Sequence, residues 1–305
     1  LANAVNSILS QDYAGTLEII LALGPSKDKT DEIAQHLASS DPRITLVDNP
    51  SGKTAAGLNA AINKSKNPVI VRVDAHAELQ RNYISLAIDV MKSSGAVNVG
   101  GIMGAEGNTF FEKTVAAAMR SSLGVGASRF HTGGEAGYVD TVYLGTFLRS
   151  AVIAIGGFDE RFIRAQDWEL NYRLRQAGGK IFFDPRLHVT YRPRSSVKAL
   201  AKQYFEYGRW RRVVSRRHQG TINYRYLAPP FALIGTALSI VLALMINQIF
   251  IIPAAIYGIF LILASLITGK GIIEKFLLPI VLFTMQMSWG LGFLTSPKTL
   301  APSKG

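Results

Sequence analysis

Three charge-free apolar runs, Pro229 to Ile246, Ile249 to Ile267 and Phe276 to Thr295, most constrain what this chain can fold into. Each approaches the roughly 20 residues a helix needs to cross a bilayer, which predicts three transmembrane helices. Only Asn247-Gln248 separates the first two, so they form a tight hairpin. The competing reading is a buried core hairpin of a soluble protein. From Arg192 to Arg225 there are ten Lys or Arg against the single acid Glu206, directly before the first apolar run. Charge in that place reads as a cytoplasmic membrane flank. With Lys270 and Lys275 between the second and third runs, it puts the preceding domain in the cytoplasm and the C-terminus outside.

Composition agrees with this division. The 305 residues are 48% hydrophobic, more than a simple soluble enzyme needs, and the surplus lies at one end. The formal charge of +12 would suggest nucleic acid if spread over a soluble domain. Its concentration beside the apolar runs argues for no nucleic-acid partner and for membrane lipids instead. With no cysteine, a disulfide framework, a zinc-thiolate site and a cysteine nucleophile are excluded. The chain opens at Leu1 inside a helical pattern, which leads us to expect an upstream segment.

Before the basic block, strands and helices alternate. Leu1 to Gln11 reads as an amphipathic helix, Thr16 to Leu23 as a strand, Thr30 to Leu37 as a helix and Ile44 to Val47 as a strand. A helix at Thr54 to Ile62, a strand in PVIVRVDAHAEL (Pro68 to Leu79), a helix at Tyr83 to Met91 and a strand near Val97 to Ile102 follow. This alternation predicts an α/β fold with a doubly wound, mostly parallel sheet. Four of the five residues from Val69 to Val73 are apolar, as in a buried parallel strand. That strand ends in Asp74-Ala75-His76, where open α/β sheets place their ligands. Both side chains can donate to a divalent cation, which in turn can hold a diphosphate. Alternatively, Asp74 caps the following helix and His76 is a surface histidine.

Residues 104–141 are glycine-rich and loosely patterned, and a long loop in a compact domain is more often functional than idle. QDWELNYRLRQ then predicts a helix from Asp167 to Gln176, ended by Gly178-Gly179 and followed by a strand from Lys180 to Phe183. Leu170 and Leu174, four apart, face the core, while Glu169, Asn171 and Arg173 read as solvated. Asp167 alone reads as a helix-start residue. From Ser195 to His218, Val197, Leu200, Tyr204 and Phe205 keep helical spacing ahead of clustered arginines, the pattern of a helix lying in the membrane interface.

The ordered set SKDKT, GKTAAGLNAAI, VDAHAEL, GGFDERF, QDWELNYRLRQAGGKI and QYFEYGRW resembles family 2 glycosyltransferases of the GT-A fold. Within them it looks most like bacterial succinoglycan-type membrane glucosyltransferases. The resemblance implies a metal and nucleotide-diphosphate site at Asp74 and His76, with Mn²⁺ or Mg²⁺ as cofactor. It implies Asp167 as general base in an inverting transfer, and Lys53 and Asn59 as donor contacts. Tyr138, Asp140 and Gly145-Thr146 would face the acceptor. Gln203 and Arg209-Trp210 resemble a QxxRW element, but five residues separate Gln203 from Arg209 rather than two, which favours single addition over processive synthesis. Leu23 and Gly24 stand where the family commonly carries an aspartate pair that contacts the base, and the resemblance leads us to expect the family's first strand upstream of Leu1.

These readings give a cytoplasmic GT-A-like catalytic domain at residues 1–194, a basic interfacial helix at 195–227 and a transmembrane region at 228–305. They imply a membrane-bound hexosyltransferase of the bacterial plasma membrane. It would move a sugar from a nucleotide-diphosphate donor to a lipid-linked or cell-surface polysaccharide acceptor. A non-catalytic, membrane-anchored nucleotide- or glycan-binding protein is the alternative. A dinucleotide oxidoreductase would need a GxGxxG turn and an ATPase a full P-loop, and the chain has neither.

Overall fold

A computed structural model describes residues 1–75, 77–126 and 128–300. His76 lies outside the described residues. The chain divides into two compact units, one of Leu1–Gly104 with Gly133–Tyr191, the other of Ala105–Thr132 with the chain from Arg192 onward.

The chain begins α1 (Ala2–Leu9), β1 (Ile19–Leu23), α2 (Thr30–Ser40), β2 (Ile44–Asp48), α3 (Thr54–Lys64), β3 (Val69–Val71), β4 (Glu78–Leu79) and α4 (Tyr83–Ser94). It continues with β5 (Asn98–Ala105), α5 (Phe110–Met119), α6 (Ser122–Val125), α7 (Arg129–Thr132), β6 (Gly137–Tyr138), β7 (Thr146–Leu148), α8 (Arg149–Ala154), α9 (Gln166–Gln176) and β8 (Ile181–Tyr191). Four long helices close it: α10 (Val197–Arg217), α11 (Tyr224–Met245), α12 (Ile252–Thr268) and α13 (Ile272–Thr295).

In the first unit β1 and β2 pair in parallel. The larger sheet has the order β3-β7-β5-β8-β4, with β6 joined to β8. Strands β3 and β5 both pair antiparallel with β7 and therefore run in the same direction. The expected strand at Val69 is shorter than its apolar run, and its bonded neighbour is antiparallel. Strand alternation splits its side chains between two cores. Val69 and Val71 pack with Tyr83, Val90, Val99 and Leu187 beneath α4. Ile70 packs with Phe147, Phe158, Leu170 and Leu174 beneath α3, α8 and α9. Helices thus cover both faces of the sheet. Each fully buried apolar side chain of this kind contributes about 1.5–3 kcal/mol.

In the second unit α5 starts with a capping box in which the Thr109 hydroxyl accepts from the Glu112 amide and the Glu112 carboxylate accepts from the Thr109 amide. Three segments are long and apolar enough to cross a membrane, Tyr224–Met245, Gln248–Thr268 and Ile272–Thr295. They match the expected runs, and the first starts earlier, at Tyr224. Pro229 and Pro230 fall inside the helix α11 rather than at its start.

Candidate active site

The polar residue inside the β-branched run, Arg72, organises the site. It is only 6% exposed, and its amide donates to the Gly145 carbonyl across the strand pair. Its guanidinium donates to Asp74 Oδ1 from Nε at 3.2 Å and from Nη2 at 3.1 Å. Nη1 donates to Asp167 Oδ1. A residue at the end of β3 and one in the first turn of α9 thereby share one cation, which lies 6.0 Å from the Phe158 ring centroid. Burial opposes the charge on Arg72, and the carboxylates of Asp167 and Asp74 outweigh it, keeping the guanidinium ionised.

Asp167 is crowded by protein, yet 28% of its side-chain surface stays open to an incoming group. Burial pushes its carboxyl up to about 6, Arg72 pulls it down, and the like charge of Asp74 adds to the rise. The backbone that presents it is strained. Ala165, just before α9, has φ +59° and gives the helix no side-chain cap. The only other non-glycine residue at positive φ among the described residues is Leu144, at +55°, beside the Gly145 that accepts from Arg72. Left-handed geometry at non-glycine residues costs about 1–2 kcal/mol each and concentrates at functional sites.

The rest of α9 is fixed from inside the protein. Leu170 and Leu174 are buried as expected. Glu169 and Asn171, read as solvated, are each 1% exposed instead. Glu169 receives two bonds from Arg173, both at 2.7 Å, and the same guanidinium reaches the carbonyls of Ile155 and Gly157. Asn171 accepts from Asn98 and donates to Thr141. Surface-face reasoning fails here because the partners belong to other strands and loops, which supply the compensation a buried polar group requires.

Other predicted residues are placed as follows. Asn59 donates to the Phe158 carbonyl and to Glu160, and accepts from the Phe158 amide, so it braces the GGFDERF turn. Lys53 is exposed just before α3. Tyr138 is exposed on β6 and donates to the Ser94 carbonyl, while Asp140 pairs with Arg175 at 3.2 Å. Arg175 is eight residues along α9 from Asp167, about 12 Å at helical rise, so Asp140 sits at the far end of that helix. Thr146 is buried in β7 behind Gly145. In the second unit, Gln203 donates to Tyr207, Arg209 pairs with Glu206, and Trp210 is buried in α10.

The donor set fits a divalent ion only in part. Among the described residues, no three His, Cys, Asp or Glu side chains gather into a metal cage. Asp74 uses Oδ1 on Arg72, and its Oδ2 has no bond among the described residues. One free, hard carboxylate oxygen suits Mg²⁺ or Mn²⁺ when a diphosphate and water supply the remaining ligands.

The doubly wound α/β sheet is of the GT-A type, and it carries two carboxylates past a strand end and at a helix start. Residues 1–158 match the model of glycosyl transferase family 2. A succinoglycan biosynthesis protein, ExoA, of Rhizobium meliloti (strain 1021) is 30% identical over 90% of this chain and 84% of its own length. The dolichyl N-acetyl-alpha-D-glucosaminyl phosphate 3-beta-D-2,3-diacetamido-2,3-dideoxy-beta-D-glucuronosyltransferase of Methanococcus voltae is 26% identical over 93% of this chain and 88% of its own. The mannosyltransferase PcManGT of Pyrobaculum calidifontis, solved with GDP-Man and Mn²⁺, shares the fold. Its TM-score is 0.60 at 16% identity, covering 97% of this chain and 82% of that one. The chain belongs to glycosyl transferase family 2 and is a glycosyltransferase of GT-A type, using a nucleotide-sugar donor and a glycan acceptor.

Proposed function

We propose that this is a membrane-anchored, inverting hexosyltransferase that moves a sugar from a nucleoside-diphosphate donor to a lipid-linked or surface-polysaccharide acceptor. The observation that carries this reading is the single guanidinium of Arg72 gripping both Asp74 and Asp167. In this reading one cation holds together the carboxylate that faces the diphosphate and the carboxylate that acts as base. The Methanococcus relative acts on a dolichyl-phosphate-linked sugar by its name, and the Rhizobium relative serves succinoglycan biosynthesis, which supports the acceptor class.

Asp167 takes the proton of the acceptor hydroxyl as that oxygen attacks the anomeric carbon. The bond from that carbon to the nucleoside diphosphate breaks on the opposite face, and the configuration inverts. A carboxyl near 6 is largely ionised at neutral pH and is a stronger base than an ordinary aspartate. Asp74, with His76 beside it in sequence, would hold Mn²⁺ or Mg²⁺ on the donor diphosphate. A bound divalent ion supplies charge stabilisation to the leaving group. PcManGT was solved with Mn²⁺, which supports that cofactor class. Arg72 orients both carboxylates and keeps their repulsion in check. Residues 1–194 form the catalytic region in this reading, ahead of a basic interfacial helix at 195–227 and an apolar region at 228–305. The basic flank supports a catalytic region on the cytoplasmic side of a bacterial plasma membrane.

The test is donor turnover by the complete natural chain in native membranes, across a nucleotide-sugar panel with Mn²⁺ or Mg²⁺ and a lipid acceptor extract. Transfer that needs metal and is lost in both Asp167→Asn and Asp74→Ala is the expected result. Donor binding without consumption throughout the panel would support the non-catalytic alternative, and undiminished transfer by Asp167→Asn would refute the base assignment.

A further inference from the structure

Within the second unit, α11 and α12 form an antiparallel hairpin. The Ser239 hydroxyl on α11 donates to the Phe250 carbonyl and accepts from the Ala254 amide at the start of α12. The hairpin tip around Leu244, Met245 and Ile249 is exposed. If α13 crossed beside this hairpin as a third antiparallel span, its last turns would reach that tip. They reach the other end. Trp289 stacks on Tyr226, with ring centroids 6.3 Å apart. A Cβ at Gly290 would come within 2.6 Å of the Pro229 carbonyl. Both contacts are to the opening turns of α11.

The basic end of α10 is in the same place. Arg216 donates from Nη2 to the Ser296 carbonyl at 2.9 Å and from Nη1 to the Pro297 carbonyl at 3.1 Å. The Ser296 hydroxyl donates to the Arg209 carbonyl. Backbones of α10 and α13 touch directly, since a side chain at Gly208 would overlap the Trp289 carbonyl and one at Gly292 the Phe205 carbonyl. Helix α10 carries too many charges, Glu206 and seven Lys or Arg from Lys198 to Arg217, to cross a bilayer. A helix packed on it this closely shares its depth. The start of α13 is tied to the same region, because Glu274 accepts from the Lys270 amide just after α12, and the Thr268 and Ser121 hydroxyls are 3.3 Å apart.

We infer that α13 is a half-embedded helix, both of whose ends lie on the membrane face that holds the Arg209–Arg217 block. Its outer side is turned to the acyl chains of one leaflet. The exposed residues fit, because Ile272, Phe276, Ile280, Phe283, Leu291 and Leu294 fall on one stripe at helical spacing. Leu278, Leu282, Met285 and Phe293 on the opposite side are buried. The partner is a lipid leaflet with anionic headgroups, matched by the arginines of α10. Only the α11–α12 hairpin then passes through the bilayer.

The chain has no cysteine, so single cysteines can be read without background. Gln219→Cys, Gln248→Cys, Lys270→Cys and Lys298→Cys in the full chain would be labelled with a membrane-impermeant maleimide in inside-out and right-side-out vesicles. Residues 219, 270 and 298 should react from one side and 248 from the other. Lys298→Cys reacting with Gln248→Cys, or reacting only after detergent, overturns the inference; Thr299→Cys repeats the measurement should the Lys298 variant fail to insert. Nitroxides at Phe276→Cys and Leu291→Cys, towards the two ends of α13, should report similar shallow depths. A steep depth difference between them would mean a crossing helix and also overturn it.

Discussion

Arg72 and Asp167, 95 residues apart in sequence, are joined by a direct bond from the Arg72 Nη1 to the Asp167 carboxylate. Replacing Arg72 by Met leaves Asp167 with burial and the like charge of Asp74, both of which raise its pKa. The acid limb of the rate profile should move up by about one unit or more. A folded pKa further above the unfolded value gives stability that is present at low pH and lost as pH rises. The stability deficit of Arg72→Met should therefore be larger at pH 8 than at pH 5. Removing one partner of a buried ion pair costs about 3–5 kcal/mol, and the partial exposure of both carboxylates reduces that to about 1–2. Thermal denaturation in detergent at the two pH values checks this.

In the unmodified chain, kcat/KM should rise with pH through about 6 and level off above, because the base must be ionised to accept the proton. An acid limb near 4, the ordinary aspartate range, would show that burial and Asp74 do not raise the titrating carboxyl.

Asp167→Asn keeps size and removes basicity. Turnover should fall by about 10²–10⁴, while affinity for the nucleoside diphosphate, measured by calorimetry, changes little.

Arg173→Met removes the two bonds that Glu169, 1% exposed, receives from it and frees the carbonyls of Ile155 and Gly157. The expected loss is about 2 kcal/mol, less than for a fully buried pair because Arg173 is partly exposed. A drop in melting temperature with Glu169→Gln/Arg173→Met less affected than Arg173→Met alone would confirm that the Arg173–Glu169 charge pair, rather than the freed carbonyls, causes the loss.

Much of this architecture was legible in the residues, and the gaps have physical causes. The apolar runs, the Val69 strand and the α9 core pair Leu170 and Leu174 follow from period and length alone. Arg72 went unread because a single cation in a β-branched run has no periodic signature, and its meaning depends on a carboxylate in a distant helix. Glu169 and Asn171 misled for a related reason. Helical spacing assigns polar residues to solvent, whereas Arg173, Asn98 and Thr141 satisfy them inside. Helix α11 begins ahead of its apolar run, because Tyr224 to Ala228, with the charge of Arg225 among them, precede Pro229 in the same helix. In GKTAAGLNAAI the brace that Asn59 makes to Phe158 and Glu160 has no periodic signature, because its partners lie about 100 residues away.

That brace has a kinetic meaning. Because Asn59 holds both Phe158 and Glu160, helix α3 and the turn after α8 are tied together by three hydrogen bonds. A ligand settling against them meets a surface already connected, so association on this side spends less on ordering the chain.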